Sequence, residues 1–288
     1  MNHASTSKGR SQLGAIWFRF RKNRLAVIGL ILMSIILLAV ITAGLYIPKE
    51  AISKMSSDMY APISREHPLG TDQFGRDVFA RIIYGGRISL RVGILVVMGA
   101  MTIGGLLGAT AGYFGGTLEN IIMRVMDVFL AIPSMILSIT VVAALGTSTT
   151  NLILALIIAR TPQFARIVRS AVLPLKNQEY IEAALACGTS HWRIITRHII
   201  PNVIGPIIVQ ATLQMGGAII NIAGLSFIGL GVQPPTPEWG SMLSEAREVI
   251  RVYPFLVFPP GLAIMASVFS FNRIGDGLRD ALDPKLKN

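Results

Sequence analysis

Long stretches without a charged side chain constrain this sequence more than any other feature. The uncharged stretches comprise residues 25–47, 92–114, 128–159, 203–232 and 252–271. The first has 23 residues and would be about 35 Å long as a helix rising about 1.5 Å per residue. A bilayer has a hydrocarbon core roughly 30 Å thick. The stretch therefore predicts a transmembrane helix with some tilt.

The composition agrees with a membrane protein. Hydrophobic residues make up 52% of the chain and charged residues only 14%, whereas soluble domains have roughly 25% charged residues. The net charge of +11 is spread over short segments between the apolar stretches, so no basic domain is available for nucleic acid. The single cysteine, Cys187, excludes an intrachain disulfide. We expect one membrane domain in contact with the lipid bilayer and no nucleic-acid partner.

Basic residues predict the topology. Residues 1–24 contain six basic side chains and no acidic one, which favours a cytoplasmic N-terminal segment before a first transmembrane helix at 25–47. Polar residues 146–151 divide the stretch 128–159 into two spans, the second continuing past Pro162 towards Val172. Residues 160–197 carry six basic and two acidic side chains and are also expected in the cytoplasm. We therefore predict an all-α protein with six transmembrane helices and cytoplasmic termini.

The remaining boundaries follow from this topology. We predict an external loop with an amphipathic segment at 48–91, and a transmembrane core at 92–272 that contains a cytoplasmic loop at about 173–200. Residues 273–288 would form a cytoplasmic tail. Two arginines near the end of the external loop, Arg87 and Arg91, oppose the positive-inside pattern.

Two helical patterns make more specific predictions. Four glycines recur at a spacing of four residues, which lines them along one helix face for close packing: Gly104, Gly108, Gly112 and Gly116. Apolar residues at spacings of three and four predict an amphipathic helix over 238–251 at the outer membrane interface. Glu245 and Glu248 would lie mostly away from its apolar face.

Sequence signatures of catalysis are absent. No phosphate-binding string of the type G-x-x-x-x-G-K-[ST] occurs, so ATP hydrolysis would require another chain. The four histidines are scattered, and no G-x-S-x-G nucleophile motif is present. We expect no catalytic, cofactor-binding or metal-binding residue in this chain, and we do not expect an enzyme.

Residues 178–202 predict a short helix followed by a break. Good helix formers begin at Glu179, and Gly188 can adopt the left-handed conformation that ends a helix. The small pair Ala183 and Ala184 leaves room for another surface, and a second amphipathic stretch begins at Trp192. These features are compatible either with docking to a partner or with a helix lying on the membrane surface.

A family resemblance favours docking. The segment resembles the EAA motif of ABC import permeases through Glu182, Ala183 and Ala184, then Gly188, then Ile200 and Pro201. His198 replaces an apolar residue of the general pattern, as in the peptide and nickel branch. Further stretches that resemble this branch are 67–72, 75–78, 84–90, 233–240 and 271–284. The resemblance covers about residues 19–285 and is strongest to the C-type permease of dipeptide and oligopeptide importers.

The resemblance implies a type I ABC importer permease in the cytoplasmic (inner) membrane. The implied partners are a homologous second permease, two ATP-binding subunits that hold ATP and Mg, and an external substrate-binding protein. ATP-driven closure of the ATPases would open the bundle outward. The residues implied to couple this chain to the ATPases are Glu179, Glu182, Ala183, Ala184, Gly188, Trp192 and Pro201.

Several functions stay open at this stage. The implied cargo is a dipeptide or oligopeptide, and the alternatives are a nickel or other metal chelate and glutathione. If the protein were an ATPase-independent channel or a secondary transporter, the resemblance of its loop to the EAA motif would be accidental. An intramembrane enzyme would need polar catalytic groups facing one another inside the spans.

Overall fold

The computed structural model describes residues 12–282, which form α-helices joined by turns and short 3-10 or π segments, with no β-strand in that range. Five of these helices are long and apolar enough to cross a membrane, and one bent pair can supply a sixth crossing. The α-helices are α1 Gln12–Phe20, α2 Arg24–Tyr46, α3 Val78–Phe114, α4 Gly116–Ala131, α5 Ser134–Leu145, α6 Thr149–Val172, α7 Glu179–Ala186, α8 His191–Ile194, α9 Ile200–Phe227, α10 Trp239–Arg247 and α11 Phe258–Leu282.

Helix α2 is the first crossing. It begins where the Asn23 side chain accepts a hydrogen bond of 3.2 Å from the backbone N–H of Ala26, which satisfies one of the free donors at a helix start. Its inner side packs along α11, while Ile31, Ile35 and Leu38 are exposed. Such an apolar outer face is suited to contact with lipid tails.

Helix α3 begins earlier than the uncharged stretch indicates. It starts at Val78 instead of residue 92, after Asp77 accepts a 2.7 Å hydrogen bond from the N–H of Ala80. The loop that was predicted over residues 48–91 therefore ends before residue 78. Arg87 lies inside the helix and donates hydrogen bonds to the carbonyl oxygens of Val40 (2.7 Å) and Ile41 (3.0 Å) on α2. Because these carbonyls satisfy the guanidinium, the charge does not end the helix.

The third crossing consists of two helices and differs from the single span predicted up to residue 145. Helix α4 follows α3 directly after Gly115, whose φ of +70° allows the sharp turn. A break at Ile132 and Pro133 then turns the chain by 91° into α5. Pro133 lacks the N–H needed to continue α4, which gives a physical reason for the break.

Helices α3 and α6 run parallel and form the most extensive helix contact in the bundle. A Cβ atom added to Gly104 would lie 2.5 Å from the backbone oxygen of Thr161, and one added to Gly108 would overlap the backbone oxygen of Ala165. Gly112 faces Val172 in the same row. Gly116 departs from the predicted row, because it begins α4 with a φ of +59° and has no neighbour within 4 Å of an added Cβ.

The bundle has two distinct ends. The first, called the α7 end, holds α1, α7, α8, the start of α9 and the end of α11. There Arg19 donates a hydrogen bond of 3.4 Å to the carbonyl of Ala281, and Asn23 donates one of 3.1 Å to Asp280. The second, called the α10 end, holds residues 48–77 and α10. Helix α2 begins and α11 finishes at the α7 end, so the number of crossings between them is even.

Candidate functional site

The loop between α6 and α9 forms a rigid projection at the α7 end. Ile181 on α7 is fully buried. It packs with Ile194 and Ile195, at the end of α8 and directly after it, and with Val168 and Val172 on α6. The loop is therefore fixed to two membrane helices by its own core. Gly188 follows α7 with a φ of +74°, a conformation that costs glycine little.

The outer surface of this loop includes exposed apolar side chains. Trp192 has 60% of its surface exposed, and Tyr180 and Leu185 are also exposed. Ala183 points outward, whereas Ala184 is half-buried and packs against the Ile181 cluster. The two alanines therefore do not share one surface. Adjacent helix positions point about 100° apart, since a turn has about 3.6 residues.

The other predicted residues of the loop lie around this surface. Glu179 and Glu182 are exposed in the first turn of α7. Pro201 is exposed at the start of α9, where a missing N–H breaks no helical hydrogen bond. A 2.8 Å hydrogen bond between Tyr113 Oη and His191 Nδ1 joins the end of α3 to α8.

Ion pairs join α4 to α6 near the same end. Arg169 Nε donates to Glu119 Oε1 at 2.6 Å, and Arg166 Nη2 donates to Asp127 Oδ1 at 2.7 Å. The first pair is partly buried and the second is exposed. Exposed pairs contribute little stability, so the Glu119 pair is the stronger connection between the two helices.

A buried charge network lies at the α10 end. Arg76 donates to Asp72 Oδ2 at 2.6 Å and to Glu245 Oε2 at 2.7 Å. Arg81 Nη2 lies 3.3 Å from the same Glu245 oxygen. Both arginine side chains are almost entirely buried. The two positive and two negative charges balance, which reduces the cost of removing them from water.

The helix predicted over 238–251 is shorter than predicted, and part of it is buried against the bundle. Helix α10 ends at Arg247, and its first residue, Trp239, is only 2% exposed and donates a 2.9 Å hydrogen bond to the carbonyl of Ile82. Glu238 caps the helix through the N–H groups of Gly240 (2.9 Å) and Ser241 (3.0 Å). The helix packs against α3, α9 and α11.

The sequence pattern did not predict that the side chain of Glu245 points into the bundle. Its partner Arg76 lies 169 residues earlier in the chain. A periodic pattern within one helix carries no information on so distant a charge. Glu248, in contrast, is exposed as expected.

A second buried charge lies in the middle of the bundle. Arg160, counted above with a cytoplasmic segment, lies halfway along α6 and is 7% exposed. Its Nη1 atom donates to the Gln214 side-chain oxygen on α9 at 2.5 Å. Gln214 in turn donates to Gln163. The predicted continuation of this span past Pro162 to Val172 is confirmed. Counting Arg160 with the cytoplasmic segment was wrong, because polar side chains that a local stretch of sequence does not reveal hold the guanidinium inside the bundle.

Metal-binding geometry is not present in the part of the chain that the structure describes. No group of three or more His, Cys, Asp and Glu side chains among residues 12–282 is placed to hold a metal ion. Cys187 is exposed and unpaired with another cysteine.

The geometry defines a class first: a multi-pass helical membrane protein with a rigid two-helix loop projecting from one end. The family follows from sequence profiles. The profile described as the binding-protein-dependent transport system inner membrane component matches residues 104–288. The profile of the N-terminal transmembrane domain of oligopeptide transport permease C matches residues 11–62. The chain belongs to the binding-protein-dependent transport system inner membrane components, and it is a multi-pass inner-membrane permease of the ABC importer class.

Curated relatives match nearly the whole chain. The dipeptide transport system permease protein DppC of Alkalihalophilus pseudofirmus is 49% identical over 94% of this chain and 89% of its own length. The glutathione transport system permease protein GsiD of Pectobacterium atrosepticum is 44% identical over 94% and 91%. The DppC protein of Haemophilus influenzae is 41% identical over 96% of both chains.

A solved structure shares the fold. An inward-facing structure of the MetNI methionine ABC transporter contains a chain that matches with a TM-score of 0.52 and 19% identity, covering 69% of this chain and 96% of that chain. At this identity the likeness concerns the fold alone. Together with the profiles and the relatives, this shared fold confirms the prediction of an all-helical ABC importer permease in the membrane.

Proposed function

We propose that this chain forms the translocation pathway of an ATP-driven importer together with a homologous second permease, and that its cargo is a dipeptide or oligopeptide. The observation that carries the cargo class is the 49% identity with a dipeptide permease over 94% of the chain. An external binding protein would deliver the cargo. Two separate subunits would hold ATP and Mg and carry out hydrolysis, since the chain has no phosphate-binding loop.

In the orientation that we propose, the α7 end lies in the cytoplasm and the α10 end lies outside. Basic residues flank the membrane helices at the α7 end, among them Lys22, Arg24, Arg193 and Arg197. Of the arginines that oppose this assignment, Arg91 is exposed on α3, whereas three others are satisfied within the fold. Arg76 and Arg81 lie beside carboxylates, and Arg87 is hydrogen-bonded to backbone carbonyls.

The α7 loop is the surface that transmits force from the ATPase. Its exposed apolar residues Tyr180, Leu185 and Trp192 fit a partner groove, and Glu179, Glu182 and Ala183 border them. Ile181 anchors the loop to α6 and α9, so a push on the loop moves both helices. Gly188 and Pro201 shape the turns, and Ala184 allows α7 to lie close to the bundle.

Glutathione is a second candidate cargo, favoured by the 44% identity with a glutathione permease. Nickel or another metal chelate has no such support among the relatives described above. An ATPase-independent channel or secondary transporter gives no role to the projecting α7 loop.

Reconstitution tests the function. The complete importer, with both permeases, both ATPases and its binding protein, should take up alanyl-phenylalanine into proteoliposomes only when ATP is present on the ATPase side. Uptake of reduced glutathione in place of the dipeptide would assign the second cargo. Dipeptide uptake that proceeds without ATP or without the ATPase subunits would contradict the proposal.

A further inference from the structure

Arg160 is an isolated positive charge deep in the membrane region. Helix α6 runs from Thr149 to Val172, so Arg160 lies about 16 Å from one end and about 18 Å from the other at about 1.5 Å per residue. A charge at such depth is costly and is found where it faces a polar pathway or a partner of opposite charge. Among residues 12–282, no carboxylate lies within ion-pair distance of this guanidinium.

One side of the guanidinium is held in place. Nη1 donates to Gln214 Oε1 at 2.5 Å and lies 3.5 Å from the backbone oxygen of the same residue. The Gln214 amide is oriented in turn by its hydrogen bond to Gln163, one turn from Arg160 on α6. These three side chains fix the position of the charge between α6 and α9.

The opposite side of the guanidinium is unused. Nε is buried without a hydrogen-bond partner, and no hydrogen bond or ion pair to Nη2 is found within residues 12–282. Nε and Nη2 form the edge of arginine that presents two parallel N–H groups and matches the two oxygens of a carboxylate. An unused edge of this kind at a buried site indicates a ligand that is not part of this chain.

Gly217 lies beside the end of the guanidinium that carries Nη1 and Nη2. A Cβ atom added to Gly217 would lie 3.4 Å from Nη2 and 3.5 Å from Nη1 of Arg160. A methyl group would therefore fit without overlap, but it would occupy the space beside the guanidinium. The adjacent helix face continues to Ile220, which is exposed.

We propose that the Nε and Nη2 edge of Arg160 binds a carboxylate of the cargo as the cargo crosses the membrane. This inference rests on the proposed import of peptides, whose free C-terminus is a carboxylate, and it applies equally to glutathione, which also carries carboxylates. Because Nε is buried in this conformation, the groups that cover this edge must move aside for binding, while Gln214 and Gln163 keep the guanidinium in position. The site is therefore occupied during opening of the bundle and closed otherwise.

Cargo that differs only in this carboxylate provides the test. We would compare alanyl-phenylalanine with its C-terminal amide in proteoliposomes that contain the complete importer. The affinity of the binding protein for each peptide is measured separately, so that both are supplied at saturation. The wild-type importer should take up the free acid about tenfold faster than the amide, given the strength of hydrogen bonds to charged groups. Arg160→Gln should reduce this ratio to about one by slowing uptake of the acid.

Gly217→Ala is a second variant that keeps the arginine. It should slow uptake of the acid and leave uptake of the amide unchanged, because the methyl group fills only the space beside the guanidinium. Gly105→Ala is the matched control, since an added Cβ there has no neighbour within 4 Å. It should behave as wild type with both peptides.

Several results would overturn the inference. One is a ratio of acid to amide uptake that is unchanged in Arg160→Gln. Another is failure of Arg160→Gln to co-purify with the second permease, which would assign the arginine to a carboxylate of that subunit. If Arg160→Gln does not reach the membrane, equal effects of Gly217→Ala on both peptides would overturn it. A wild-type importer that takes up neither peptide nor glutathione would instead refute the proposed function.

Discussion

Glu245 is the residue on which the charge network at the α10 end converges. Its carboxylate lies within ion-pair distance of both Arg76 and Arg81, and both arginines are almost fully buried. Loss of this carboxylate would leave Asp72 as their remaining acidic neighbour in the network. Breaking a buried ion pair is far more costly than breaking an exposed one, because a charge stays buried without compensation.

Neutralising Glu245 should therefore destabilise the protein. We expect Glu245→Gln to lower stability by about 3 kcal/mol, the lower part of the range for a broken buried pair because this carboxylate keeps some contact with water. Glu248→Gln, at an exposed position on the following turn, should have almost no effect. The thermal midpoints of both purified variants measure the difference, and equal midpoints would contradict the role assigned to Glu245.

Trp192 is the largest exposed side chain of the α7 loop, with 60% of its surface exposed. Truncation of a central aromatic residue in an interface commonly costs about 2 kcal/mol or more of binding. We expect Trp192→Ala to reduce ATP hydrolysis stimulated by the loaded binding protein at least about tenfold while the protein remains in the membrane.

Trp17→Ala is the matched control for this prediction. Trp17 is similarly exposed, at 54%, but lies on α1, which packs against α11. It should leave stimulated ATP hydrolysis unchanged. Normal coupling in Trp192→Ala, or an equal loss in both variants, would argue against docking through Trp192.

Helices α3 and α6 depend on the absence of side chains along their contact. At Gly108 an added Cβ would overlap the backbone of Ala165, and a backbone atom cannot rotate away as a flexible side chain does. Overpacking of this kind costs about 1–3 kcal/mol or more.

A pair of valine substitutions on α3 tests this contact. Gly108→Val should strongly reduce the amount of folded protein recovered from membranes, because α3 and α6 must move apart. Gly105→Val places the same residue where nothing lies within 4 Å and should have little effect. Size-exclusion profiles of the two variants provide the measurement. Similar profiles would show that close approach at Gly108 is not required.

Sequence patterns predict elements well where the information is local. The uncharged stretch that forms α2 and the glycine that ends α7 both follow from adjacent residues. The bend between α4 and α5 did not follow, because hydropathy alone does not separate a straight span from a broken one. Glu245 and Arg160 were misplaced for a related reason: their partners are distant in sequence, and burial of a charge depends on those partners.

At the scale of the whole molecule, the orientation in the membrane can be measured directly. Cys187 is exposed and must first be replaced by serine. In that background a cysteine at Thr147, which is exposed between α5 and α6, should react with a membrane-impermeant reagent added outside intact cells. A cysteine at Lys176, near the α7 loop, should react only after the membrane is opened. The reverse labelling pattern would invert the proposed topology.

The length of α3 has a mechanical consequence for the whole permease. The helix has 37 residues without an interruption and is about 55 Å long, well beyond the hydrocarbon core. Its glycine row packs closely against α6, with Tyr113 near one end of α3 and Arg81 near the other. Tilting a helix of this length by about 10° displaces one end relative to the other by roughly 10 Å. A small rotation of α3 near the α7 loop would therefore displace its opposite end, beside α10, by a large distance.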